Sequence, residues 1–247
     1  MYEQQSKGPD NGAIEKIMTS GAGEAGITLP PGTHQLFEKY FCILEERGKS
    51  VNLTAISGAE EIARLHFLDS LMLLKAANFK DSRVIDVGSG AGFPGLPLKI
   101  AEPSIKVTLL DATGKRVMFL RDLCAILKIE AEFVHARAED AGRKADTRER
   151  YDIAVSRAVA NLSALSELCL PLVKVGGIFI AMKAVNSNGE IEEARSAIEA
   201  LGAELRKCYD YKIPGTDIMH RAVVVAKVSK TPDKYPRRFA RIQKAPL

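Results

Sequence analysis

Apolar side chains recur at helical spacing over residues 34–47, on Leu36, Phe37, Tyr40, Phe41 and Leu44. The pattern predicts a helix from His34 to Arg47, with Gly48 placed to stop it. A second helix is predicted from about Glu60 to Lys75, carrying Ile62, Leu65, Leu68, Leu71, Met72 and Leu74. Val51–Ala55 reads as a short linker between them. From residue 83 the period changes. Short apolar runs stand at Arg83–Val87, Lys106–Leu110, Ala131–Val134, Asp152–Val155 and Ile178–Met182, as expected of strands buried on both faces. Helical stretches such as Arg116–Leu127 and Leu162–Leu172 separate them. Strand-helix alternation of this kind predicts an α/β domain, doubly wound around a mostly parallel sheet with right-handed crossovers. After a helix near Glu190–Leu201 come two more strands, Leu205–Tyr211 and Ala222–Val228. Their link holds Pro214 and Gly215 and is short, so they are expected to form an antiparallel hairpin at one sheet edge.

Residues 1–30 show little apolar periodicity, and Gly21, Gly23 and Gly26 discourage a helix there. The expected organisation is a flexible tail over 1–30, a helical cap over 31–80, the α/β domain over 81–228 and a basic C-terminal tail over 229–247.

Composition narrows the class only a little. The 247 residues are 46% hydrophobic and 27% charged, the balance of a globular domain. No apolar run approaches the roughly 20 residues that cross a bilayer. The opening residues lack a signal-peptide layout, so a cytoplasmic protein is expected, with no membrane partner. The four cysteines form no CxxC pair, and His34, His66, His135 and His220 are scattered, so no metal site is expected. Net charge is +4, which permits a polyanionic partner without requiring one. The distribution says more: residues 230–244 hold six basic residues against one acid. Phosphate contact through Arg237, Arg238, Arg241 and Lys244 is the reading preferred over a solvated tail. Tyr235 and Phe239 either stack on bases or pin the tail to the domain.

The segment from Val84 to Gly95 carries the clearest chemistry. A buried strand runs into a glycine-rich turn, Asp86-x-Gly88-x-Gly90-x-Gly92, followed by Phe93 and a helix start at Pro94. The spacing is neither the dinucleotide GxGxxG nor a P-loop. It resembles the first motif of class I methyltransferases, in which the loop passes beside the methionine part of the cofactor. By that resemblance Asp86, Gly88, Ser89, Gly90, Gly92 and Phe93 are cofactor-binding candidates. The next strand ends in Asp111, 19 residues after Gly92, where an acid can bond ribose hydroxyls. Alone, Asp111 reads equally as a helix cap; strand, glycines, helix, strand and acid together favour binding, and Ala112 and Thr113 follow it. A third strand leads to Arg137, Ala138 and Glu139 at the edge where ligands gather in such sheets. Glu139 alone reads as a solvent-facing helix start.

Several segments together resemble one family. They are Asn52-Leu53-Thr54, His66-Phe67-Leu68-Asp69-Ser70-Leu71, the glycine loop, Asp111-Ala112-Thr113-Gly114-Lys115-Arg116, Ser156-Arg157-Ala158, Met182-Lys183 and the ending Arg237, Ile242, Lys244, Pro246, Leu247. They are similar to the bacterial glucose-inhibited division protein B family of 16S ribosomal RNA guanine-N7 methyltransferases. The resemblance covers about residues 34–247. It implies a Rossmann-like class I methyltransferase sheet and S-adenosylmethionine as cofactor, leaving as S-adenosylhomocysteine. It implies a cofactor pocket at Gly88, Phe93, Asp111, Ala138, Glu139 and Arg157. It implies as target one guanine in the decoding region of 16S rRNA, within the small ribosomal subunit or its assembly intermediate.

Guanine N7 has a lone pair and no proton, so transfer to it needs no general base. That suits a sequence with no nucleophile-base pair, and leaves catalysis to alignment and electrostatics. Arg157, after a strand, is expected at the cofactor-substrate edge. Arg137 and Lys183 stand at comparable strand ends and divide evenly between RNA or catalytic roles and plain surface charge. His66 on an apolar helix reads as a packing histidine, while Asn52, in the linker, ranks above it as a substrate-side residue. Two rivals remain open: a methyltransferase on another substrate, and a cofactor-binding assembly factor without catalysis. A monomer is expected.

Overall fold

The computed structural model describes residues 12–51, 56–157 and 160–247. The chain begins with helices α1 (Ala13–Glu24) and α2 (Thr33–Val51). Next come α3 (Ala59–Ile62), a π turn (Ala63–Leu68), α4 (Asp69–Leu71) and α5 (Leu73–Ala76). The alternating part follows as β1 (Arg83–Val87), α6 (Gly95–Ala101), β2 (Lys106–Asp111), α7 (Gly114–Leu127), β3 (Glu132–His135), α8 (Ala138–Ala141), β4 (Tyr151–Arg157), α9 (Leu162–Cys169) and β5 (Val173–Ala184). It closes with α10 (Asn188–Glu193), α11 (Arg195–Ala200), β6 (Ala203–Lys212), β7 (Met219–Lys227) and α12 (Phe239–Lys244).

One seven-stranded sheet has the order β3-β2-β1-β4-β5-β7-β6. The first five strands are parallel and β7 is antiparallel to both neighbours. The two-residue period of a strand sends alternate side chains to opposite faces. Val84, Val107, Ile153, Ile180 and Val224 enter one core with Met18, Phe37, Tyr40, Leu96 and Leu120 from the helices. Ile85, Ala154, Phe179 and Val223 enter the other with Leu165, Ile191, Ile198 and Ile242. Strand order reverses between β1 and β4, and a crevice opens there at the carboxyl ends of the strands.

Residues 12–30 depart from the expected loose tail. Residues 13–24 are helical, with Ile14, Met18 and Ala22 buried in the first core. Gly21, which argued against a helix, is a packing device: a Cβ there would run into the Leu68 side chain. Gly26, at φ +62°, stands just past the helix end, and Ile27 N–H closes on the Ala22 carbonyl at 2.8 Å.

Other boundaries shift for local reasons. α2 runs past Gly48, which does not stop it. The helix expected over Glu60–Lys75 is interrupted by the π turn. The helix expected over Leu162–Leu172 ends at Cys169 and tightens to a 3-10 turn holding Pro171. That over Glu190–Leu201 breaks into α10 and α11. β5 is longer than its apolar run because it extends back through Gly176 and Gly177. No helix among the described residues is long and apolar enough to cross a membrane.

Candidate functional site

The glycine loop is a knot of backbone bonds at the tip of β1. Gly88 and Ser89 N–H both donate to the Leu110 carbonyl, at 2.8 and 3.0 Å. Ser89 Oγ donates back to the Asp86 carbonyl at 2.9 Å. Asp111 accepts from Gly90 N–H at 3.0 Å and Thr113 N–H at 2.8 Å. Gly92, at φ +105°, lies so close to its neighbours that a Cβ would fall 2.7 Å from Leu96 Cδ1 and nearer still to the Tyr40 hydroxyl. Tyr40, reaching across from α2, donates to the Ala91 carbonyl at 2.6 Å and stacks on Phe93. The cap thus holds the loop from one side. Asp86 lies beneath it, fully buried, with Oδ2 accepting from Gly95 N–H at 2.9 Å and Oδ1 without a partner among the described residues. Burial pushes its carboxyl up to about 7, against the pull of the Gly95 N–H and of Arg157.

Two cavities open at this edge. The smaller, about 140 Å³, is lined by Val87 and Gly88 after β1, by Leu110 and Ala112 after β2, and by Arg137, Ala138 and Glu139 after β3. Leu168 of α9 and Phe239 of α12 complete it. Its walls are mostly apolar. Glu139 is only 8% exposed and makes no hydrogen bond or ion pair with a described residue. A flat heteroaromatic group bearing an amine or hydroxyls suits such a cavity, with Glu139 as acceptor.

The larger cavity, about 500 Å³, lies across the strand switch. Its hub is Asp69, 1% exposed on the capping helix. Asp69 Oδ1 accepts from the Tyr211 hydroxyl at 2.8 Å and from His220 Nδ1 at 2.9 Å. Asp69 Oδ2 pairs with Arg157 Nη1 at 3.3 Å. The same guanidinium donates to the Leu65 carbonyl at 3.0 Å and to His66 Nδ1 at 3.0 Å, and lies 5.1 Å from the centre of the Phe93 ring. His66 stacks on Phe93 at 4.5 Å. The same His66 Nδ1 lies 3.1 Å from the Leu65 carbonyl, so the ring is gripped at this nitrogen from two sides. Burial and then the Arg157 charge push its pKa down to about 4, so the ring is neutral. Phe93, at the end of the glycine loop, thus touches Tyr40 of the cap as well as His66 and Arg157. A third cleft, at the opposite end of the strands between Arg83, Lys106 and Glu132, lies away from this chemistry.

The residues singled out by sequence fall in different places. Gly88, Ala112, Arg137, Ala138 and Glu139 meet in the smaller cavity, and Glu139 is buried rather than solvent-facing. Arg157 and Lys183 line the larger one; Lys183 Nζ is tied to Glu190 at 2.6 Å and to the Ala160 carbonyl at 2.8 Å. Asp86, Ser89, Gly90, Gly92, Asp111 and Thr113 shape the loop itself. The Ser89 hydroxyl is turned inward, and the Asp111 carboxylate is engaged by backbone in the manner of a cap. Asn52 lies outside the described residues. One expectation is overturned. Arg237 belongs to no free tail, because its guanidinium and its backbone N–H grip Glu167, whose carboxylate is fully buried. Arg238, Arg241 and Lys244 are exposed.

Sequence reasoning left Asp69, Tyr211 and His220 out of the site, and gave Phe239 a place beside RNA bases or as a pin rather than in the smaller cavity. Asp69 carried a usable signal, an acid inside an apolar helix. The hairpin residues carried none, since only the sheet order brings them to this edge.

The family model described as rRNA small subunit methyltransferase G matches residues 33–218. Ribosomal RNA small subunit methyltransferase G of Pelotomaculum thermopropionicum is 45% identical over 236 residues, covering 95% of this chain and 99% of that protein. The protein of the same name from Clostridium tetani is 43% identical, covering 94% and 98%. Among solved structures, a Burkholderia thailandensis 1,6-didemethyltoxoflavin-N1-methyltransferase with bound S-adenosylhomocysteine has the same fold. Its TM-score is 0.52 at 12% identity, over 82% of this chain and 92% of that one.

Proposed function

From the premise that this chain belongs to the rRNA small subunit methyltransferase G (GidB) family, we propose that it methylates N7 of a guanine in the decoding region of 16S rRNA, using S-adenosylmethionine. The observation that carries the reading is the pair of cavities at the carboxyl edge of the sheet, the smaller lined by Gly88, Ala112, Ala138 and Glu139 and the larger by His66, Asp69 and Arg157. The smaller stands beside the glycine loop, and the larger, about 500 Å³, has room for a base. The cofactor fits the residues present: the smaller cavity is mostly apolar, and its Glu139 is a buried acceptor with no partner among the described residues. Gly88, Ala112, Ala138 and Glu139 would hold the adenosyl part, and the glycine loop would lie beside the methionine part. When bound, S-adenosylmethionine supplies an electrophilic methyl group on a sulfonium.

The residues of the larger cavity then orient the base. No side chain needs to remove a proton from N7. His66 is neutral, and the Arg157 charge is balanced by Asp69, so the wall adds little net positive charge beside a base that becomes cationic on methylation. Arg157 is held by three acceptors and so is a fixed donor array rather than a mobile one. Lys183 lines the same wall and is paired with Glu190. Arg137, Arg238, Arg241 and Lys244 offer exposed cations to rRNA phosphates. The enzyme would act as a cytoplasmic monomer on the small subunit or its assembly intermediate.

The test is transfer of labelled methyl from S-adenosylmethionine to small subunits that lack this modification, followed by mapping. Label on one 16S guanine, at a nucleotide whose ring opens under alkali, is the expected result. Label elsewhere, or none from a chain that binds the cofactor, would favour another substrate or an assembly role.

A further inference from the structure

The C-terminal segment is anchored to the domain at three points. Arg148 Nη1 donates to the carbonyls of Gly142 at 2.8 Å and Tyr235 at 2.9 Å, and its Nη2 to that of Thr231 at 2.8 Å. Arg237 is clasped to Glu167 by Nε at 2.9 Å and Nη2 at 2.6 Å, with its backbone N–H adding a third bond at 2.7 Å. Ile242 is fully buried in the second core. A charge as deeply buried as that of Glu167 persists only when paired and hydrogen-bonded, so this segment is a built part of the domain.

Phe239 lies between the second and third anchors, so its place is set from both flanks. Half-buried, it lines the smaller cavity together with Gly88 and Ala112. The anchors also tie this arm to the turn that carries Glu139, because Gly142, held by Arg148, directly follows α8.

We propose that Phe239 is a cofactor-binding residue: the C-terminal arm forms the outer wall of the smaller cavity and lays its aromatic ring against the adenosyl part of S-adenosylmethionine. This rests on the cofactor reading above. Every other apolar lining residue is aliphatic, so Phe239 is the aromatic surface this cavity offers a purine. Glu167 and Arg237 are positioning residues: neither lines the cavity, and their clasp fixes the residue two places before the ring.

The experiment is calorimetric titration of the full chain with S-adenosylhomocysteine. Phe239→Ala should weaken binding on the order of tenfold or more, the size of losing one aromatic stacking partner. Gln243→Ala, exposed on the same helix, should bind as the parent does. Thermal unfolding without ligand separates lost binding from lost folding. A second variant keeps the ring in place. The sequence has no tryptophan, so Phe239→Trp introduces a sole reporter, whose emission should shift saturably with S-adenosylhomocysteine. Parent-like binding by a folded F239A chain, or emission from F239W unmoved at saturation, overturns the proposal. A parent chain that does not bind S-adenosylhomocysteine overturns the cofactor reading, and this inference with it.

Discussion

The two cavities flanking the strand switch are built on opposite plans. The smaller is made largely from turns that directly follow three neighbouring strands, with glycine and alanine bringing backbone close to the ligand space. The larger is made from side chains delivered by distant segments: Leu65, His66 and Asp69 from the cap, Arg157 from β4, Lys183 from β5 and His220 from β7. The first depends on small residues at fixed spacing. The second depends on a buried carboxylate that gathers donors from three elements. One plan fails when a side chain is added and the other when one is removed.

The largest expected effect is on the second plan. Asp69→Ala leaves Arg157, Tyr211 and His220 facing an uncompensated gap and should cost about 3–5 kcal/mol of unfolding free energy in urea. A loss below about 1 kcal/mol would mean that the hub does not hold this wall. Gly92→Ala breaks the first plan, through an unfavourable φ and contact with Tyr40 and Leu96, and should cost about 1–3 kcal/mol. S-adenosylhomocysteine affinity should fall with it. Pairing the change with Tyr40→Phe should recover part of the loss, since the removed hydroxyl is the nearest atom to the new methyl group. No recovery would place the cost in the backbone alone.

A smaller effect separates the glycine loop from the larger cavity by pH. His66, at about 4 when folded against an ordinary 6.5, gains its proton only on unfolding within that window. It therefore removes stability as pH falls from 6.5 to 4. Asp86, pushed to about 7 from 3.8, keeps a proton on folding that the unfolded chain releases. It removes stability as pH rises from about 4 to 7. Urea midpoints from pH 4.5 to 7 should show His66→Gln and Asp86→Asn tilting the stability curve in opposite directions relative to the parent. Tilts of the same sign would contradict the assignment. The smallest effect is Arg241→Gln, which should leave stability unchanged and lower the salt slope of RNA binding by about one.

The difference in plan also explains what the sequence disclosed. The sheet, its five parallel strands and the glycine loop were legible because each is a contiguous pattern with its own period. Gly21 misled because its value lies in a close approach to Leu68, a residue 47 positions away, while its cost to helix propensity is local. Gly48 misled for the opposite reason: a glycine permits a helix end without compelling one. Arg237 looked like its basic neighbours, and only the fold reveals that the acid matching it is Glu167, buried on α9. Asp69 was within reach of sequence reasoning, but its partners Tyr211 and His220 were not. They stand on a hairpin whose place depends on β7 inserting between β5 and β6.

That insertion has a consequence for assembly. β6 precedes β7 in the chain, yet β7 is its sole neighbour in the sheet. β6 therefore has no edge to join until β7 is in place, and the hairpin docks or detaches as one cooperative unit, a foldon whose amides should exchange together from Ala203 to Lys227. When it lifts, Tyr211 and His220 leave Asp69 with it. The larger cavity is thus assembled across a folding seam, one wall fixed to the centre of the sheet and the other carried on a piece that can come away whole.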